Sequence, residues 1–261
     1  MLPDDVLSAA LRTALAATAA AGEVGLRHHR RLDRVDTKAD GSPVTIADRE
    51  AESSMVAVIR EAFPGHAILG EEGGAGGGTD PSSRSRWILD PIDGTRGYAR
   101  GGAHWGPLVA LEHEGEIVVA AMALPVLGRT YSAVKGRGCH REGVPCRVGA
   151  KPTWAEATVS LGELVRLLRS PQAAVATALV RTAACARAYG DLAGCAMLLD
   201  GLADVWIESG VSVWDLAAPK LLVEEAGGVF TDFEGKATPA TGNAIAASPA
   251  LHAHALAAMR R

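Results

Sequence analysis

The sequence predicts an α/β (α+β) fold, and three stretches carry that expectation. Apolar residues at helical spacing open the chain. Three alternating segments between 105 and 135 are separated by turn residues, and helices and strands alternate from Ala157 onward.

From Asp4 to Arg30, the residues Val6, Leu7, Ala10, Leu11, Ala14 and Leu15 recur on one face, which predicts a long amphipathic helix. A short extended stretch at 35–38 leads into the turn Asp40-Gly41-Ser42-Pro43. Thr45-Ile46-Ala47-Asp48 has the form of a capping box and opens a second helix that runs to Phe63. His66–Leu69 reads as a short strand, Gly73–Gly78 as an irregular, mobile loop, and Arg86–Asp90 as a buried strand. The segments 105–113, 116–124 and 129–135, broken at Glu114-Gly115 and Leu127-Gly128, suggest an antiparallel meander. Beyond them come a strand at Ala157–Leu161, helices at 163–182 and 191–200, and a strand at Asp204–Glu208. A helix at Val213–Ala226, strands at Val229–Asp232 and Ala244–Ala247, and a last helix complete the chain. Two subdomains are expected, an α+β part at 1–150 and an α/β part at 151–261. With no linker-like segment at the boundary, the two should share an interface.

The composition is that of a globular protein, 48% hydrophobic and 21% charged. Aromatic residues make up only 4%, so the helices are expected to pack through alanine. A net charge of −4 gives no case for a nucleic-acid partner, which needs a basic face. His28-His29-Arg30-Arg31 reads as the cationic end of the first helix. No apolar run reaches the roughly 18 residues of a membrane span. Asp4 and Asp5 stand where a signal peptide carries positive charge, so a cytoplasmic protein is expected. Cys139, Cys146, Cys185 and Cys195 form no ligand-like cluster and are expected as free thiols, although Cys139 and Cys146 can meet across a hairpin.

The chemistry lies in carboxylates at the ends of predicted elements: Asp48, Glu71-Glu72, Asp90-x-x-Asp93 and Asp215. Taken singly, each has an ordinary structural reading, as a helix cap, a solvated loop or a partner of a helix dipole. Asp90-Pro91-Ile92-Asp93-Gly94-Thr95 changes the balance. Carboxylates beside a buried strand are costly unless compensated, and divalent cations with oxygen ligands are the usual compensation. The Ile92 carbonyl can add a ligand, and the N–H groups after Gly94 can hold an anion. A DxDGT motif marks phosphatases with a covalent aspartate nucleophile, but this motif is one residue longer and lies mid-chain, which misplaces the second carboxylate.

These residues resemble the inositol monophosphatase family. The likeness rests on Gly70-Glu71-Glu72, on Trp87-Ile88-Leu89 followed by the Asp90–Thr95 motif, and on Trp214-Asp215-Leu216-Ala217-Ala218 with Glu224-Glu225-Ala226-Gly227-Gly228. Asp36-Thr37-Lys38 and Pro43-Val44-Thr45-x-x-Asp48 fit as well. The resemblance implies a layered α/β/α/β/α sandwich, usually a homodimer, and a Mg²⁺-dependent phosphomonoesterase with two or three ions per site. It places Glu71, Asp90 and the Ile92 carbonyl on the first Mg²⁺, and Asp90, Asp93 and Asp215 on the second, with Glu71 helping to retain a weaker third. It makes Asp48 and Thr95 the pair that orients and deprotonates the attacking water, and the amides of Gly94 and Thr95 the phosphate site, with no covalent intermediate.

Within the family, Arg187-Ala188-Tyr189-Gly190-Asp191, and Glu208 followed by Val211-Ser212-Val213-Trp214-Asp215, resemble the bacterial histidinol-phosphate phosphatases. Arg187, Asp191 and Glu208 are the candidate substrate-binding residues, because an acidic pair suits the ammonium of histidinol better than a neutral polyol. Asp191 also reads as a helix cap, and Arg187 as a partner of either the phosphate or a structural acid. An inositol or other sugar monophosphatase is the alternative, and a metal-binding protein without turnover is a second one. Keeping Asp48, Glu71, Asp90, Asp93, Thr95 and Asp215 together speaks against the latter. The segments Arg96–Gly101 and Ser160–Thr182 depart from the family pattern where substrate side groups are expected.

Overall fold

The computed structural model describes residues 2–32, 34–38, 43–80 and 82–260. The expected turn residues Asp40, Gly41 and Ser42 lie outside them. The chain forms two compact units, Met1–Lys135 and Gly136–Arg261.

In the first unit, α1 (Asp4–His28) buries Ala10, Ala14, Ala17 and Ala21, and packs on α2 (Ile46–Ala62) through Ala47 and Ala51. Small side chains bring the two helix backbones close, as the alanine-rich composition anticipates. Strands β1 (Asp36–Thr37) and β2 (Pro43–Val44) pair between the helices in sequence. Then follow β3 (Ala67–Gly70), β4 (Gly74–Gly76), β5 (Ser85–Asp93), the short helix α3 (Thr95–Ala99), and the meander β6 (Gly106–His113), β7 (Glu116–Leu124) and β8 (Arg129–Val134). The strand order is β8-β7-β6-β5-β3-β4, with β3 parallel to β5 and the other neighbours antiparallel. Trp87, Leu89, Val109 and Leu111 face α1 and α2 in one apolar core.

Two expectations change here. The glycine run is not a free loop: Gly74–Gly76 forms β4, an edge strand on β3. Its far end is tied down, because Arg60 Nη2 donates to the Gly77 carbonyl at 2.9 Å and the Thr79 amide to the Pro64 carbonyl at 3.0 Å. Strand β5 also runs three residues beyond Asp90, to Asp93.

Gly106 is where β6 begins, opposite Asp93. A Cβ there would stand 1.8 Å from the Ala123 carbonyl oxygen, which belongs to backbone and has no rotamer to escape into. Gly106→Ala should therefore cost about 3 kcal/mol and lower Tm by roughly 10 °C, read by calorimetry.

In the second unit, the hairpin β9 (Cys139–Arg141) and β10 (Val144–Pro145) is followed by β11 (Thr158–Leu161), α4 (Leu164–Arg169), α5 (Ala173–Thr182) and β12 (Cys185–Arg187). Then come α6 (Asp191–Leu199), β13 (Val205–Ser209), α7 (Val213–Glu225), β14 (Val229–Thr231), β15 (Asn243–Ala247) and α8 (Pro249–Met259). The sheet order is β12-β11-β13-β15-β14. Residues 136–150, grouped by sequence with the first part, fall with the second: Glu225 accepts from the Gly136 and Gly138 amides, and the Val148 amide donates to the Ala226 carbonyl. Pro171 splits the helical stretch 163–182 in two, since a residue before proline disfavours the helical conformation. Cys139 and Cys146 do meet across the hairpin, as free thiols with sulfurs 3.2 Å apart. Among the described residues, no helix is long and apolar enough to cross a membrane.

Candidate active site

In a regular strand, residues three apart point to opposite faces. Asp90 and Asp93 do not, because β5 is bulged between them. Asp90 pairs with Leu108 but Asp93 with Gly106, three steps on one strand against two on the other. The extra residue turns both carboxylates the same way, with an oxygen of each within 4.8 Å of the other. They are 1% and 6% exposed, and one Asp90 oxygen accepts the Ile92 amide at 3.0 Å. Gly94 then takes a left-handed conformation, φ 82°, and turns the chain into α3.

Asp48 sits in the first turn of α2, in the capping box that the sequence indicates. One carboxylate oxygen accepts both the Thr45 amide, at 2.7 Å, and the Thr45 hydroxyl, at 2.6 Å. The other faces the Thr95 hydroxyl at 3.4 Å, and that hydroxyl also lies 2.9 Å from the Ile92 carbonyl. Complete burial pushes the Asp48 carboxyl above the usual range, against the hydrogen bonds from Thr45. The acid and the hydroxyl are thus neighbours, although 47 residues separate them in sequence.

Glu71 follows β3. Parallel pairing sets Gly70 opposite Leu89, and the Glu71 amide donates to the Leu89 carbonyl at 3.2 Å, which brings Glu71 alongside Asp90. The Lys38 ammonium bridges Glu71 and Glu72, at 2.7 and 2.5 Å. Burial opposes its charge, but the two carboxylates hold its pKa above the ordinary value. In sequence, Lys38 is marked only by its place in the Asp36-Thr37-Lys38 motif, and its partners 33 and 34 residues away leave no local signal. Tyr98, in the unmatched segment after the motif, belongs to the core: it is buried against Trp105, and its hydroxyl donates to the Gly25 carbonyl at 2.9 Å.

The remaining candidates lie on the second unit. Asp215 is the third residue of α7 and caps it, accepting the Ser212 amide at 2.6 Å. Glu208, on β13, is 1% exposed and accepts from the Asp191 amide at 3.0 Å, Trp206 Nε1 at 3.1 Å and the Ser209 amide at 3.3 Å. Burial, then the nearby Asp191, pushes its carboxyl well above the ordinary range. A Cβ on Gly162 would fall 1.8 Å from the Glu208 carboxylate, so only glycine fits over it. Asp191, half-buried at the start of α6, has a strained φ of 54° and is tied to Glu208 through its backbone amide. Arg187 is exposed and lies against its own strand, with a nitrogen 2.8 Å from Cys185 Sγ and 2.9 Å from the Ala186 carbonyl.

The inositol monophosphatase family model matches residues 5–261. The chain belongs to the inositol monophosphatase family. It is 37% identical over 248 residues to a histidinol-phosphatase of Mycobacterium tuberculosis, a match that covers 93% of this chain and 94% of that one. It is 35% identical over 236 residues to the Nus factor SuhB of Pseudomonas aeruginosa, covering 86% of each. The structure superposes on the inositol monophosphatase of Anabaena with a TM-score of 0.84 at 27% identity, over 97% of this chain and 96% of that one. The fold is therefore that of the inositol monophosphatases, as the motifs imply, and the protein is a phosphomonoesterase. Members of the family depend on a metal, and the donors here fit one: Asp90 and Asp93 are buried, converge and offer hard oxygen ligands.

Proposed function

We propose that the protein hydrolyses L-histidinol phosphate to L-histidinol and phosphate with Mg²⁺, in histidine biosynthesis. The observation that carries this reading is the buried Glu208 carboxylate, which accepts the Asp191 amide and feels the charge of the nearby Asp191. Such a carboxylate gains from a cation, and the ammonium of histidinol supplies one. The likeness to the mycobacterial histidinol-phosphatase supports it. A specific feature favours the alternative, an inositol or other polyol monophosphatase: three N–H groups already partner the Glu208 carboxylate.

In this reading Asp90, Asp93, Glu71 and the Ile92 carbonyl would hold the ions, and Asp215 is assigned with them on the family resemblance. When bound, divalent ions neutralise phosphoryl charge and acidify the attacking water. Thr95 orients that water, Asp48 accepts its proton, and the amides of Gly94 and Thr95 bind the phosphate oxygens. Homodimerisation and a cytoplasmic location accompany this reading.

Phosphate release from a panel of histidinol phosphate, inositol 1-phosphate and sugar phosphates tests the substrate. Histidinol phosphate should lead the others in kcat/KM by about tenfold or more, a difference of about 1.4 kcal/mol in transition-state binding. Asp191→Asn should remove that lead and leave polyol phosphates as they were. A polyol phosphate ahead by the same factor would establish the alternative.

A further inference from the structure

We propose that Glu52 is a positioning residue for Glu71, an inference that rests on reading Glu71 as a metal ligand. Glu52 lies on α2 one turn beyond Asp48, on the same helix face, and is 6% exposed. A carboxylate this deeply placed is costly unless hydrogen bonds satisfy it. Its two oxygens accept consecutive backbone amides, those of Glu72 at 2.8 Å and Gly73 at 2.6 Å. Charge-assisted bonds of this kind are about twice as strong as neutral ones.

Glu71 is thereby fixed from both sides. Its own amide is bound to the Leu89 carbonyl on β5, and the next two amides are bound to Glu52 on α2. The local glycines fit this arrangement. A Cβ on Gly70 would stand 2.5 Å from one Glu52 oxygen, and a Cβ on Gly73 2.7 Å from the other. Any side chain at either position would push the carboxylate off the loop. One rigid helix thus presents Asp48 toward Thr95 and, through Glu52, sets where the Glu71 carboxylate can stand. Helix α2 holds the proton acceptor and the proposed metal ligand in a common frame.

The test uses Glu52→Gln in the full chain, which keeps the size of the side chain but turns an NH₂ group toward one backbone N–H. Three quantities are read: hydrogen exchange at the amides of residues 72 and 73, Mn²⁺ affinity by direct titration, and phosphate release across a Mg²⁺ series. Exchange should quicken, and Mn²⁺ binding should weaken about tenfold or more, the usual effect of removing a group that orients a ligand. The rate at saturating Mg²⁺ should recover most of its wild-type value. Faster exchange with unchanged Mn²⁺ affinity would make Glu52 structural only and overturn the proposal. Should Glu52→Gln fail to fold, Gly73→Ala displaces the same carboxylate, and unchanged Mn²⁺ affinity there is equally fatal. Glu71→Gln separates the two readings. If it leaves Mn²⁺ affinity intact, Glu71 is not a ligand and both readings fall. If it weakens binding while Glu52→Gln does not, only the positioning role falls.

Discussion

Asp90→Asn is expected to lower metal-dependent turnover by about 10³-fold or more, because a bound divalent ion contributes several kcal/mol of charge stabilisation. The substitution preserves shape. The asparagine carbonyl oxygen can still accept the Ile92 amide, which Asp90 binds at 3.0 Å, so β5 and its bulge should survive. Asp90 and Asp93 are buried with oxygens within 4.8 Å of each other, and like charges so placed repel. Under chelation, therefore, the variant should melt no lower than wild type, while its Mn²⁺ affinity falls steeply. Calorimetry with EDTA and direct Mn²⁺ titration give the two readings. A variant that unfolds would point to a structural aspartate instead.

Asp48→Asn should reduce turnover by about 10²- to 10⁴-fold, the range that a positioned general base supplies. Its cost in stability should be far smaller, below the roughly 1 kcal/mol that losing a whole helix cap costs. The reason is that asparagine still accepts the Thr45 amide and closes the first turn of α2. Thr95→Ala should fall in the same range and Thr95→Ser should stay active, since the hydroxyl is the group that faces Asp48. Groups that act as one unit are not additive. The double variant Asp48→Asn with Thr95→Ala should be little worse than either single one, as measured by steady-state phosphate release at saturating Mg²⁺.

Local signals in the sequence were dependable where the structure depends on local rules. The capping box at Thr45–Asp48 starts α2 where it was expected, and the meander turns at Glu114-Gly115 and Leu127-Gly128 hold. What escaped depends on pairing across the chain. The bulge that turns Asp90 and Asp93 to one side exists only in the register of β5 against β6. Glycines 74–76 become a strand only because the edge of β3 is there to pair with and Arg60 holds the residues beyond. Strand β12 is three residues long and is defined by its partner β11 rather than by any pattern of its own.

The same division runs through the site. Asp90 and Asp93, which the structure brings together, stand in one motif, and carboxylates clustered around a Gly-Thr turn have few structural uses. The supporting groups lie far from their partners in sequence. Lys38 reaches Glu71 over 33 residues, and Glu52 reaches the Glu72 amide over 20. One signal was available for Glu52, an acidic residue four positions after Asp48 in a face otherwise filled by Ala51 and Met55. Acids on such faces are worth following to a partner.

Under the proposed function, water activated beside Asp48 and Thr95 attacks the phosphorus directly, and the buried aspartates hold metal rather than phosphate. The most direct test is the stereochemical course of hydrolysis with a substrate made chiral at phosphorus by oxygen isotopes and sulfur. A single in-line displacement inverts the configuration, and inversion is the expected result. Retention would mean two displacements, with a carboxylate such as Asp90 carrying the phosphoryl group in between, and would contradict the account.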